Sequence, residues 1–173
     1  MRYSDYYDCD ICNGKSVGMS LFVQGCPLHC NGCFNPETWD FNSGEKWTKE
    51  SENNFITLVG RDYIRRISIL GGSPLCQENI KDVSALVSKI RDKYPEKQIW
   101  IYTGYTWETL MSTTNIEYRN DILDVFKSID VLVDGEFMLD QKDLTLAFRG
   151  STNQRIIDVQ SSLKTGEIVL WNT

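Results

Sequence analysis

The chain has 173 residues, with 24 acidic against 18 basic side chains and one histidine, giving a formal net charge of −6 at pH 7. That length supports one domain, 1–173, with a real core but not a full eight-unit barrel, and the acidic balance excludes the basic stripe of a nucleic-acid-binding surface. No apolar run reaches the roughly eighteen residues of a membrane span. Met1 to Asp10 is polar and aromatic, unlike the charged-then-apolar start of a signal peptide, so an exported protein is not expected. The six cysteines are therefore read for a reducing cytoplasm, where thiols serve metals or catalysis more often than disulfides.

In chain order, Met19 to Gln24 reads as a short buried strand and Thr48 to Val59 as a helix. Arg66 to Leu70 is a second strand, stopped by Gly71-Gly72-Ser73-Pro74. Asn79 to Tyr94 is the clearest helix, because Ile80, Val83, Leu86, Val87, Ile90 and Tyr94 recur at three- and four-residue steps before Pro95. Gln98 to Tyr102 is a third strand, ending at Thr103-Gly104. Helical pieces follow at Trp107 to Ser112 and Tyr118 to Ser128, then a strand at Asp130 to Val133. Gln154 to Val159 and Glu167 to Trp171 read as further strands. Alternating strands and helices predict an α/β fold with a mostly parallel sheet and right-handed crossovers. The cysteine loop, Gly71 to Pro74, Thr103-Gly104 and Asp134-Gly135 each follow the C-terminal end of a predicted strand, the edge at which parallel sheets bind ligands.

The run Gly25-Cys26-Pro27-Leu28-His29-Cys30-Asn31-Gly32-Cys33 offers three thiols in a C-x3-C-x2-C spacing. An iron–sulfur cubane normally takes four cysteines, one per iron. Three leave one iron free for substrate or cofactor, as catalytic zinc sites keep a position open. A second pattern competes: Cys9-x2-Cys12 and Cys30-x2-Cys33, seventeen residues apart, match a four-thiolate structural zinc site of an interaction module. That pairing strands Cys26. With its only histidine among these cysteines, the chain has no Ser-His-Asp arrangement, and no P-loop pattern is present.

The cysteine spacing is the one used by radical S-adenosylmethionine enzymes. Further blocks match at Cys33-Phe34-Asn35-Pro36-Glu37-Thr38-Trp39-Asp40, Ile101 to Glu108, Val131 to Gly135, and Arg149-Gly150-Ser151-Thr152-Asn153-Gln154-Arg155. With these, the stretch from about Tyr6 to Val159 closely resembles the activating proteins of anaerobic (class III) ribonucleoside-triphosphate reductase. The block at Arg149 to Arg155 is lacking in activases of other glycyl-radical enzymes, the nearer rival reading. The resemblance implies a partial, open (β/α) barrel with a [4Fe-4S] cluster on Cys26, Cys30 and Cys33. It implies S-adenosyl-L-methionine on the open iron, with Gly71, Gly72 and Ser73 at its ammonium and Gly32, Cys33 and Phe34 at its adenine. The implied partners are the large catalytic subunit of the reductase, whose glycine gives up a hydrogen atom, and a flavodoxin-type electron donor. The implied location is the cytoplasm.

Several positions depart from the family pattern. Ser73 stands where a carboxylate is usual, Ser16 where glycine is common, Gly18 where arginine is common, and Gly32 where many superfamily members have an aromatic. Cys9 and Cys12 lie outside the family motif, Cys76 reads as a small buried hydrophobe, and His29 as a loop residue beside the cluster. Trp39, Tyr105 and Trp107 suit either a partner-facing groove or the core. Arg149, Asn153 and Arg155 suit either hydrogen bonding to loop backbone or positioning of cofactor or partner.

Overall fold

Strand alternation sorts the apolar residues onto two faces of one sheet. A computed structural model, which describes residues 1–172, shows strands β1 (Arg2–Asp10), β2 (Gly18–Val23), β3 (Glu45–Lys46), β4 (Arg66–Gly71), β5 (Gln98–Tyr102), β6 (Val131–Asp134), β7 (Arg155–Asp158) and β8 (Val169–Leu170). The helices are α1 (Lys49–Val59), α2 (Ile80–Lys93), α3 (Trp107–Met111), α4 (Ile116–Ser128) and α5 (Val159–Thr165). Met19, Leu21, Ile67, Ile69, Ile99, Ile101, Leu132 and Ile157 share a core with residues from all five helices. Their alternates Trp100, Val131, Val133 and Ile156 pack against Tyr102, Phe148 and Trp171 instead, as a two-residue period requires. No helix among the described residues is long and apolar enough to cross a membrane.

The strands lie in the order β3-β1-β2-β4-β5-β6-β7-β8. Only β2, β4, β5 and β6 are parallel neighbours; the pairs flanking them on both sides are antiparallel. The expectation of a mostly parallel sheet is thus corrected: this is a mixed sheet, parallel at its centre and not closed. Parallel pairing needs a crossover helix. Helices α1, α2 and the α3–α4 pair supply one between successive central strands, whereas β1 joins β2, and β6 joins β7, without an α-helix between them.

Local chemistry accounts for the expected elements. Thr48 caps α1 in a reciprocal capping box with Ser51, and Ile80, Val83, Leu86, Val87 and Ile90 of α2 are all buried. Two elements differ from expectation. Gln154 to Val159 is strand only to Asp158, whose carboxylate then accepts the Ser161 N–H at 2.9 Å and starts α5. The long strand β1 was not legible as a strand, because most of its side chains are exposed or half-buried and its pairing comes from β2 and, at its start, β3.

At the edge where β2 and β4 begin, Arg66 is fully buried. Its guanidinium meets the Asp10 carboxylate at 3.1 Å and the carbonyls of Asp10 at 2.9 Å and Asn13 at 2.6 Å. The segment Asn13 to Gly18 wraps this side chain. A β-carbon at Gly14 would lie 2.5 Å from Arg66 Cδ, and one at Gly18 2.6 Å from Arg66 Cζ. Gly18 and Arg66 are direct partners across β2 and β4, so a guanidinium from the neighbouring strand fills the space beside position 18. Ser16 has φ 70°, the left-handed region that costs an L-residue about 1 kcal/mol. Ser16→Gly should therefore stabilise the fold by roughly 1 kcal/mol, read as a higher urea midpoint at unchanged slope.

Candidate iron–sulfur site

The central strands all end at the same edge, and their loops are tied to one another there. Gly72 N–H donates to Val23 O and Ser73 N–H to Gly25 O, each at 2.8 Å. The buried Asn79 amide donates to Gln24 O at 2.9 Å and Ser73 O at 3.1 Å, and Gly135 N–H donates to Tyr105 O at 3.2 Å. The cysteine loop leaves β2 through Gly25, with φ 94°, a turn that only glycine takes without strain. It is pinned by Gly25 N–H on Thr38 O at 2.8 Å and Cys26 N–H on Trp39 O at 3.0 Å. Cys33 N–H then closes onto Cys30 O at 3.1 Å. Cys26 is buried, and Cys30 and Cys33 are half-buried.

One backbone amide faces a sulfur: Asn35 N–H donates to Cys33 Sγ at 3.4 Å. Burial pushes the Cys30 thiol up, Phe137 opposes this, and Glu136, Cys26 and Cys33 add to the rise. Three thiols on one short loop suit a shared cation, because metal coordination removes their protons. Among the described residues no three Cys, His, Asp or Glu side chains are grouped around a point that one metal ion could occupy. A cubane holds its cysteine sulfurs farther apart than a single ion does. The donor set, three thiols on one loop with the Asn35 amide donating to one of them, fits an iron–sulfur cluster.

The structure separates the two halves of the zinc pattern. Cys9 lies near the end of β1 that pairs Asp10 with Gly18, and Cys12 N–H bonds the Asp10 carboxylate at 2.8 Å. That is the start of β2, whereas Cys30 and Cys33 follow its end. The six residues of β2 span about 20 Å at roughly 3.3 Å per residue. The four-thiolate reading is therefore corrected, and Cys9 and Cys12 are exposed thiols remote from the loop.

The other candidate residues fall as follows. Gly71, with φ 95°, and Gly72 form a close backbone turn; a β-carbon at Gly72 would lie 2.5 Å from Gly25 O. Ser73 is 1 % exposed, and its hydroxyl has no hydrogen-bond partner. Phe34 is exposed and packs on Phe137, ring centroids 5.0 Å apart. Gly32, with φ 74°, sits under Leu139, whose Cδ1 is 3.0 Å from where a β-carbon would be. His29 stacks on Trp39 at 4.6 Å. Trp107 stacks on Phe126 at 4.5 Å and packs with Tyr105 against the main core. Cys76 is buried, and burial pushes its thiol up to about 12, as expected of an inert packing residue.

Arg155 bridges Asp134, at 2.9 and 2.5 Å, and Glu108, at 2.9 and 2.8 Å, pulling the Glu108 carboxyl down to about 2. Asp134 also accepts the Trp107 N–H at 2.8 Å. Asn153 and Gln154 bond the backbone of the Gly135–Glu136 turn, so this block ties loop backbone. Sequence reasoning missed the segment after that turn. Phe137-Met138-Leu139, an apolar run that stays partly exposed beside a ligand-binding edge, was the available signal.

A family model described as "4Fe-4S single cluster domain" matches residues 12–157. Fold and family model thus define the class: a mixed α/β domain of the 4Fe-4S single-cluster kind. Curated relatives named anaerobic ribonucleoside-triphosphate reductase-activating protein match nearly end to end. That of Salmonella typhi is 43 % identical over 156 residues, 89 % of this chain and 96 % of the relative. That of Escherichia coli K12 is 42 % identical over the same shares, and that of Enterobacteria phage T4 is 34 % identical over 90 % of this chain and 93 % of its own. The chain belongs to the family of anaerobic ribonucleoside-triphosphate reductase-activating proteins.

Proposed function

We propose that this protein activates an anaerobic ribonucleoside-triphosphate reductase by creating a glycyl radical on the reductase's large catalytic subunit. The observation that carries the reading is the three-cysteine loop packed edge to edge with the Gly71–Ser73 turn in a 4Fe-4S family domain. Cys26, Cys30 and Cys33 would hold a [4Fe-4S] cluster and leave its fourth iron open to S-adenosyl-L-methionine. Bound and reduced, that centre would supply the one electron needed to cleave the sulfonium and so the oxidising power to remove a hydrogen atom from the partner's glycine.

The chain's own residues bind and shield. Gly71 and Gly72 present backbone close to the loop without side chains in the way. Ser73 offers a free hydroxyl in place of a carboxylate, which accepts a hydrogen bond but supplies no opposing charge. Gly32, Cys33 and Phe34 line the adenine side. The open sheet is read as a partial barrel of the radical S-adenosylmethionine type, with the partner's glycine loop closing it against water. A flavodoxin-type donor and a cytoplasmic location complete the reading.

The test is anaerobic reconstitution with iron and sulfide, reduction, and chromatography of products. Methionine and 5′-deoxyadenosine should appear in equal amounts. Mixing with the reductase large subunit should then give a glycyl doublet by electron paramagnetic resonance. Colourless protein that holds zinc, or a doublet only on another glycyl-radical enzyme, would overturn the reading.

A further inference from the structure

The Arg149–Arg155 block reaches the cysteine loop through one intermediate segment. Gln154 Nε2 donates to Gly135 O at 3.0 Å, and its Oε1 accepts the N–H groups of Gly150 and Ser151 at 2.9 and 3.2 Å. Asn153 Nδ2 donates to Glu136 O at 2.8 Å, while its own oxygen is buried with no partner. The hydroxyl of Ser151, itself fully buried, accepts the Met138 N–H at 3.2 Å. Residues 135, 136 and 138 are thus fastened from behind. The front of the same segment lies on the cysteine loop: Leu139 covers Gly32, and the Phe137 ring packs on Phe34. A β-carbon at Gly150 would lie 2.6 Å from the Phe34 ring and 3.0 Å from that of Phe137, so the block also touches the loop directly.

We propose that Asn153 and Gln154 are positioning residues: they brace the 135–139 segment across Cys30, Gly32 and Phe34, and that brace sets how readily the bound cluster accepts an electron. The inference rests on the cluster reading above. Its physical basis is that N–H groups donated to cluster sulfurs and the exclusion of water both tune reduction potential, while outer residues hold the ligands in place.

The first test needs no cluster. In the apoprotein, iodoacetamide should label Cys30 several-fold faster in Asn153→Ala and Gln154→Ala than in the parent, with Cys76 unchanged, as read by mass spectrometry. Equal Cys30 rates, or a matching rise at Cys76 from general loosening, overturn the proposal. In reconstituted protein, a redox titration followed by electron paramagnetic resonance should show the midpoint shifted in Asn153→Ala. Asn153→Asp, which cannot donate, should behave alike. A tenfold change in electron uptake corresponds to 59 mV; a midpoint unmoved overturns it. A parent chain that binds no cluster would refute the cluster reading and leave the labelling result standing.

Discussion

Cys30→Ala should lose the cluster's iron and all cleavage of S-adenosylmethionine while keeping the fold. The residue is half-buried at the ligand edge rather than a member of either apolar core, so far-ultraviolet circular dichroism should not change. Cys26→Ala and Cys33→Ala should behave the same way, because a cubane with two protein ligands is released readily and a fourth chain donor is not placed to replace them. His29 is stacked on Trp39, and Cys9 and Cys12 stand at the far end of β2. Cys9→Ala and Cys12→Ala should accordingly retain full iron content and product yield. Iron and activity surviving in Cys30→Ala, or lost in Cys9→Ala, would remove the basis of the three-ligand assignment.

The largest stability effect is expected at the opposite edge. Arg66→Leu leaves the Asp10 carboxylate, 8 % exposed, without its guanidinium, and breaking a buried pair from one side costs about 3–5 kcal/mol. Against a total of roughly 5–15 kcal/mol, that is enough to unfold much of the chain at body temperature. Replacing both partners with apolar residues, as in Asp10→Leu with Arg66→Met, should cost less than either single change, since no charge is then stranded. Urea midpoints of the two singles and the double decide this, and a double that equals the sum of the singles would rule out the coupling.

The same pair fixes the sign of the acid response. Burial alone would raise the Asp10 carboxyl, but Ser20, the Cys12 N–H and Arg66 together hold it below its ordinary value. A carboxyl depressed in the folded state contributes stability that is complete above its unfolded value, about 4, and is lost as pH falls through the lower folded value. Parent stability should therefore decline from this source only below about pH 4, and Asp10→Asn should flatten that part of the profile.

The cysteine triplet, the Gly-Gly turn and the central strands themselves were legible in the sequence for reasons of local chemistry. Ligand spacing, glycine at positive φ and the three- and four-residue recurrence in α2 depend on neighbours within a few positions. Asp158 as a cap and Gly166 as a stop were also present for α5, but the apolar run before them reads equally well as strand. The strand β1 gave no such signal, since its partners β2 and β3 supply the hydrogen bonds and its side chains are mostly exposed or half-buried.

What the sequence by itself determined is the donor set: three thiols at fixed spacing on a loop that must follow a buried strand. Only the tertiary structure decided which cysteines share an edge, that Arg66 fills the space beside Gly18, and that residues 151–154 hold the 135–139 segment over the loop. Spacing along a chain constrains what residues a few positions apart can ligate together. Contacts between residues separated by a hundred positions depend instead on strand order and direction, which pairing among distant segments sets.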